Sequence, residues 1–505
     1  MRNALLALSL VAMALCCGCK KSSNGSTNEN VPTKPAPTGG TTYYIDPAGS
    51  DSNNGTSSST PWQTISKVNA QTFLPGDHIL FKAGGVWSGN LVFSGAGSAT
   101  APITVNIYGT GNKPIINGGG LVNGSVTLLV ANPYWEINNL EITNTITTGL
   151  HYAVTGIKVS NSNTTAPNNH VYIKNCYVHD VNSTGVGNSN YNKGTGGIIV
   201  SGYFKDILID SCHVANSQIE GIRTTYSSPM STNVTISNNL IENIYGDGIV
   251  MSSVQSGGLI THNTVHNACI TNDANFAGIW TYNESGTVVS NNEVYGLTGG
   301  YIDGQAFDAD LTTSGDIFEY NYSHDNARGF MLFMQTATHI TVRYNISAND
   351  ATLGVKVFNY LATDTTNHIY NNVFYLTNNI TYFFQTKFIG SFSNNIINST
   401  GAISYFSQNT MSTDARFLNN CIYPNAAILA TNWNGCYHLN DVFSAPQFTN
   451  PGSYGIGRNT ARGFSLQSTS PCIARGLTIA NNGGYDFFNG ALSSTGSPDI
   501  GAIKY

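Results

Sequence analysis

The sequence predicts an all-β, single-domain solenoid of parallel strands. A short pattern of apolar residues around an Asn-containing turn recurs along most of the chain, and no helix-period pattern intervenes between its copies. Charged residues make up only 10% of the 505, while Gly and Asn punctuate each unit. The clearest copies are "VTISNNLI", "VVSNNEV", "HIYNNVF", "SFSNNII" and "RFLNNCI"; looser ones include "WEINNLEI", "VYIKNCYV", "ILIDSCHV", "LITHNTV", "IFEYNYS" and "TVRYNIS". The residue three after the second apolar position falls at 140, 176, 212, 239, 263, 292, 321, 345, 372, 395 and 420, at intervals of 23 to 36 residues. A unit of that length with short strands cannot bury its own apolar face. Stacked at about 4.8 Å, successive units bury a continuous core. Asn recurs because stacked side-chain amides can bond from coil to coil at a tight corner. Cys176 and Cys212 fall in the same register and read as small stacked residues inside the wall.

The chain opens with "MRNALLALSLVAMALCCGCKK", in which Arg2 precedes an apolar run from Ala4 to Leu15, too short to span a bilayer. Its ending resembles a bacterial lipoprotein signal, which implies cleavage after residue 18 and lipidation of Cys19. Cys16 stands where such signals usually carry leucine, so Cys17 is an alternative acceptor. The expectation is an exported protein, lipid-anchored in a bacterial outer membrane. Residues 19–41, rich in Ser, Asn, Thr, Pro and Gly, read as a flexible tether, and residues 42–505 as the solenoid domain.

Lys and Arg total 21 against 27 Asp and Glu, for a net charge of −6 without a basic block. That argues against a nucleic-acid partner. The six cysteines beyond the signal lack metal-ligand spacing; Cys421 and Cys436 are close enough in sequence to bridge a local loop.

The opening "YYIDPAGSDSNNGTSSSTPWQTISKVN", the stretches "FLPGDHILFKAGGVW" and "APITVNIYGTGNKPIINGGG", and the closing "GFSLQSTSPCIARG" and "SPDIGAIKY" resemble the cap, first coils and terminal segment of right-handed parallel β-helix proteins of the pectate-lyase-like superfamily. The resemblance implies the right-handed parallel β-helix. It leaves the reaction open among polysaccharide lyases, glycoside hydrolases, esterases and noncatalytic adhesins.

Each unit carries a second strand entered by a small residue: "GIIVS", "GIRTT", "GIVMS", "GIWTY", "AFDAD", "GFMLF" and "GVKVF". If the residue after the small one points inward, alternation sends Ile199, Arg223, Val250, Trp280, Asp308, Met331 and Lys356 outward in one row. A second row would hold Ser201, Thr225, Ser252, Tyr282, Asp310, Phe333 and Phe358. Carboxylates beside exposed aromatics suit a polysaccharide, because aromatic faces pack on apolar sugar faces while polar groups fix orientation.

Two mechanisms follow. In a lyase acting on a uronate polymer, Asp308 and Asp310, with Asp303 from the preceding loop, would hold Ca²⁺, while Lys356 abstracts the proton and Arg223 or Arg328 binds substrate acid groups. Trp280, Tyr282 and Phe333 would contact sugar. In a glycoside hydrolase, Asp308 and Asp310, about 7 Å apart as i and i+2 on one strand face, would act as acid and base, with Asp247 a further candidate. A noncatalytic glycan-binding or adhesive protein would need only the aromatics. Glu319 reads as surface charge on another wall, and His324 with Asp325 as stacked corner residues, since His179 and His266 share the same offset.

Overall fold

A computed structural model describes residues 39–505 apart from 131, 148–153, 184–193, 272–274, 300–301, 425–434 and 494–495. The expected signal, nearly all of the tether and Cys19 lie outside the described residues. The rest is a parallel β-solenoid. Three sheets of 15, 12 and 13 strands run its length, and each coil contributes one strand to each sheet through most of the stack. At the N-terminal end, Asp51 accepts hydrogen bonds from the Thr64 hydroxyl (2.6 Å) and the Gln63 N–H (2.9 Å), and Trp62 stacks on Tyr43. Those contacts hold the short helix Ile65–Asn69 against the first coils.

The corner between the 15- and 13-stranded sheets explains the repeat. At each turn one residue adopts left-handed backbone, such as Asn238 (φ 55°), Asn291 (57°) or Asn394 (55°), and the residue after it is a ladder position. Asn tolerates that conformation better than most residues, which accounts for the first Asn of each pair. The second Asn bonds to its equivalent in the next coil. From Asn239 the amides run through Asn263, Asn292, Asn321, Asn345, Asn372, Asn395 and Asn420, with Nδ2 to Oδ1 distances of 2.9–3.3 Å, and end on Asp441 at 3.1 Å. Each of these Asn side chains also takes a backbone N–H of the preceding coil and gives a bond to a backbone carbonyl, as Asn321 does with Asn292 N (3.0 Å) and Val289 O (2.8 Å). Cys212 continues the column, its N–H bonding to Asn239 Oδ1 at 2.8 Å, and its thiol and that of Cys176 donate to backbone carbonyls inside the wall. The reading of both as stacked wall residues holds.

Inside, aromatic rings dominate the C-terminal half: Phe330 lies 5.5 Å from Phe358, which lies 5.0 Å from Phe384. Small residues enter the 12-stranded sheet for a steric reason. A Cβ on Gly278 would sit 2.6 Å from the Ala306 carbonyl oxygen of the next coil, so a larger residue would force the coils apart. After the strand Tyr437–Leu439 the chain returns along the outside of the stack, where Arg343 donates to the Asn481 carbonyl (2.7 Å) and Gly457 N–H to Glu293 (2.6 Å). Cys421 and Cys436 do not form the expected bridge. Cys421 is buried under this returning segment and donates to the Ser444 carbonyl, whereas Cys436 turns toward His438.

Replacing Asn321 by Ala leaves buried donors and acceptors of two neighbouring coils without partners, at about 1–3 kcal/mol for each group. The expected loss of stability is about 3–5 kcal/mol, read as a lower urea midpoint at unchanged slope. A loss below about 1 kcal/mol would mean the ladder does not hold the coils.

Candidate active site

The outward row expected from strand alternation is present over five coils of the 12-stranded sheet. Ile199 pairs with Arg223, Arg223 with Val250, Val250 with Trp280 and Trp280 with Asp308. Tyr282 leaves the same strand two residues after Trp280. Asp310 follows in the next coil, anchored by its N–H on the Thr281 carbonyl at 2.9 Å.

The row changes at the following coil. There Leu332, not Met331, pairs with Asp308, and Asn359, not Lys356 or Phe358, pairs with Leu332. Phe330 and Met331 both point into the core, so the first outward position arrives one residue late. Phe333 is therefore an interior residue with no exposure, its ring 4.8 Å from Tyr360, and cannot meet a substrate. Lys356 pairs with Tyr382, away from the Asp308 column.

Asp303, Asp308 and Asp310 nonetheless come together, and Asp247 joins them. With Trp280 they line one cavity of about 170 Å³, closed by Phe276, Leu311, Leu332 and Met334. Asp308 is 5% exposed on the floor; Asp303 and Asp310 are half-exposed at the rim. Asp303 is followed by Gly304, whose φ is 91° and where a Cβ would sit 2.1 Å from the Gly299 carbonyl oxygen and 2.8 Å from Arg328 Cγ, so only glycine fits. Gly304 N–H bonds to the Phe276 carbonyl at 2.7 Å, tying this loop to the cavity wall.

The cations occupy the margins. Lys356 donates to the Ile302 carbonyl at 2.9 Å. Burial pushes its ammonium down to about 8, the Asp303 carboxylate opposes that shift, and the nearby Arg328 guanidinium adds to it. Arg223 is expected at a substrate acid group, but it is 7% exposed and lies within the wall. Its Nη1 is 3.0 Å from Glu220 and 3.7 Å from Asp247, and its guanidinium lies over the Trp280 ring at 5.2 Å. Asp247 in turn accepts the Ala277 N–H at 2.8 Å. Arg223 thus positions Trp280 and Asp247.

The expected Ca²⁺ ligands share the cavity without converging: among the described residues no three Asp, Glu, His or Cys side chains are placed to hold a metal ion. Glu319 forms an ion pair with Arg343 at 2.6 Å on the 15-stranded sheet. His324 stacks on Tyr295 at 4.8 Å on the 13-stranded sheet, far along the coil from the cavity. Burial lowers its basicity, but hydrogen bonds to Asp325 and Glu293 outweigh this and push it up to about 9. Both are structural residues of other faces.

Residues 126–294 match the family model described as the right handed beta helix region. The chain is a right-handed parallel β-helix. It is 28% identical over 607 aligned positions to the lacto-N-biosidase of Bifidobacterium longum subsp. longum, covering 95% of this chain and 37% of that protein. The chain therefore spans little more than a third of the curated relative's length. The crystal structure of a GH136 lacto-N-biosidase from Eubacterium ramulus superposes with a TM-score of 0.59 at 20% identity, over 80% of this chain and 67% of that one. XylC in complex with xylose superposes with a TM-score of 0.52 at 11% identity, over 92% and 98%. These two likenesses are of fold.

Removing the Arg223 guanidinium takes away the cation 3.0 Å from Glu220 and 3.7 Å from Asp247, neither of which is exposed. Arg223→Ala is expected to cost about 3–5 kcal/mol, measured by chemical unfolding. Arg223→Lys is expected to recover little of this, because an ammonium cannot pair and stack at once. A cost within about 0.5 kcal/mol would contradict the positioning role.

Proposed function

We propose that the protein is a glycoside hydrolase acting on a neutral glycan, with Asp303 and Asp310 as the reacting pair. The observation that carries this is the cavity itself: among the described residues four carboxylates line it and no cation does. A uronate polymer would bring further negative charge into that space, where charge is poorly screened. A neutral sugar meets no such barrier. Similarity to a lacto-N-biosidase points the same way.

The division of labour follows from the surroundings. Asp303 feels the Lys356 ammonium, and a cation nearby favours the ionised form of a carboxylate. Asp303 accordingly attacks the anomeric carbon or activates a water against it, while Asp310 across the rim gives its proton to the departing glycosidic oxygen. Asp308, 5% exposed, lines the cavity beside them. Export and lipid anchoring through Cys19 remain part of this reading, because an extracellular glycan needs an enzyme outside the cytoplasm.

The test is a panel of nitrophenyl glycosides, neutral oligosaccharides and uronate polymers. Release of new reducing ends without unsaturated uronate, and without dependence on added calcium, is expected. Asp303→Asn and Asp310→Asn are each expected to lower kcat by about 10²- to 10⁴-fold. Azide should restore the Asp303 variant, and an activated leaving group the Asp310 variant. Full activity in either variant would remove it from the pair, and unsaturated products would establish a lyase instead.

A further inference from the structure

Trp280 was the natural stacking platform in the sequence, yet it is only 5% exposed and has Arg223 over its ring. The exposed aromatic surface lies beside it. Tyr226 follows the strand Glu220–Thr224, two coils before Trp280 in the sheet, and is 61% exposed. Its ring reaches to 6.4 Å from that of Tyr282, at 53°, passing over the coil of Ser252, which is 2% exposed and pairs with Tyr282. Tyr282 lies in turn 6.4 Å from Trp280, ring edge to face. A continuous line of rings therefore leads from the wall of the carboxylate cavity out across the earlier coils.

We infer that Tyr226 and Tyr282 form a further sugar subsite, on which a pyranose ring one place beyond the two that flank the cleaved linkage stacks as the glycan leaves the cavity toward the N-terminal coils. This rests on the hydrolase reading of the cavity and extends it. A large ring held in water by little else costs solvation unless something apolar covers it, and the axial C–H face of a pyranose has the matching chemistry. The neighbouring Thr225 hydroxyl, 3.0 Å from that of Ser201, adds a polar edge suited to sugar hydroxyls. The sheet offers a comparison further along: Tyr405, 42% exposed, has its ring 5.7 Å from Tyr382 in the strand beside Lys356. Among the described residues that pair is not linked by rings to the cavity.

The experiment compares wild type, Tyr226→Ala, Tyr226→Phe and Tyr405→Ala on neutral oligosaccharides of hexose and N-acetylhexosamine, from disaccharide to hexasaccharide. Hydrolysis is followed kinetically. Binding is followed separately by ligand-observed NMR in an Asp310→Asn background. Tyr226→Ala should raise KM about tenfold on the longer glycans, leave kcat unchanged, leave the disaccharide unaffected and weaken binding to the same extent. Tyr226→Phe should retain both. Equal KM and binding in Tyr226→Ala and wild type at every length, or the same loss in Tyr405→Ala, would overturn the subsite. Absence of binding by wild type would also overturn it. Binding lost in Tyr226→Ala, with no hydrolysis by wild type, would instead support the subsite and remove the hydrolase.

Discussion

The chain of side-chain amides from Asn239 to Asn420 is the constraint on which the rest of the molecule depends. A parallel sheet alone tolerates slippage where strands are only three or four residues long, and most strands here are that short. Each ladder Asn instead fixes one atom of every coil against one atom of the next. With the corner fixed, the strand on the far side of the coil arrives in a defined register, and Trp280 comes to lie beside Asp308. The cavity is thus set by hydrogen bonds formed on the opposite side of the solenoid. Buried polar groups satisfied this fully also penalise any shift of register, since a single slipped coil would leave several of them unpaired at once.

The same ladder explains how much of the fold could be read from the sequence. The positions marked by the repeat, from Cys176 and Cys212 to Asn420, are the residues that stack at this corner. The outward row from Ile199 to Asp308 was legible because "GIRTT", "GIWTY" and "AFDAD" place polar or bulky residues between small and apolar ones. In "GFMLF" and "GVKVF" that contrast is lost. Phe330, Met331 and Phe333 could each occupy the core by chemistry, and a pair of consecutive inward residues there displaced Phe333 and Lys356 from their expected places. Tyr226 escaped notice for a related reason. The strand ends at Thr224, and beyond its end alternation says nothing about direction.

Within the site, charge is segregated by depth. Arg223 is sealed in the wall with Glu220, where it braces Trp280 and Asp247. Lys356 and Arg328 bear on the loop that carries Asp303. The space left between them is lined by carboxylates and apolar groups. Such a space has an acidic edge and a hydrophobic wall, which is the chemistry a neutral sugar ring presents in complement. The loop bearing Asp303 depends on Gly304, so a short stretch of backbone as well as the sheet sets the separation of the two rim carboxylates.

The most direct test of this account is the crystal structure of the Asp310→Asn variant soaked with a neutral oligosaccharide that the wild-type protein cleaves. The account predicts one sugar ring in the cavity with its anomeric carbon between Asp303 and residue 310, and the ring one place beyond the two that flank the cleaved linkage over Tyr282 and Tyr226. A glycan bound elsewhere on the solenoid, such as the groove of about 420 Å³ beside Arg343 and Tyr370, with the carboxylate cavity left open, would contradict it.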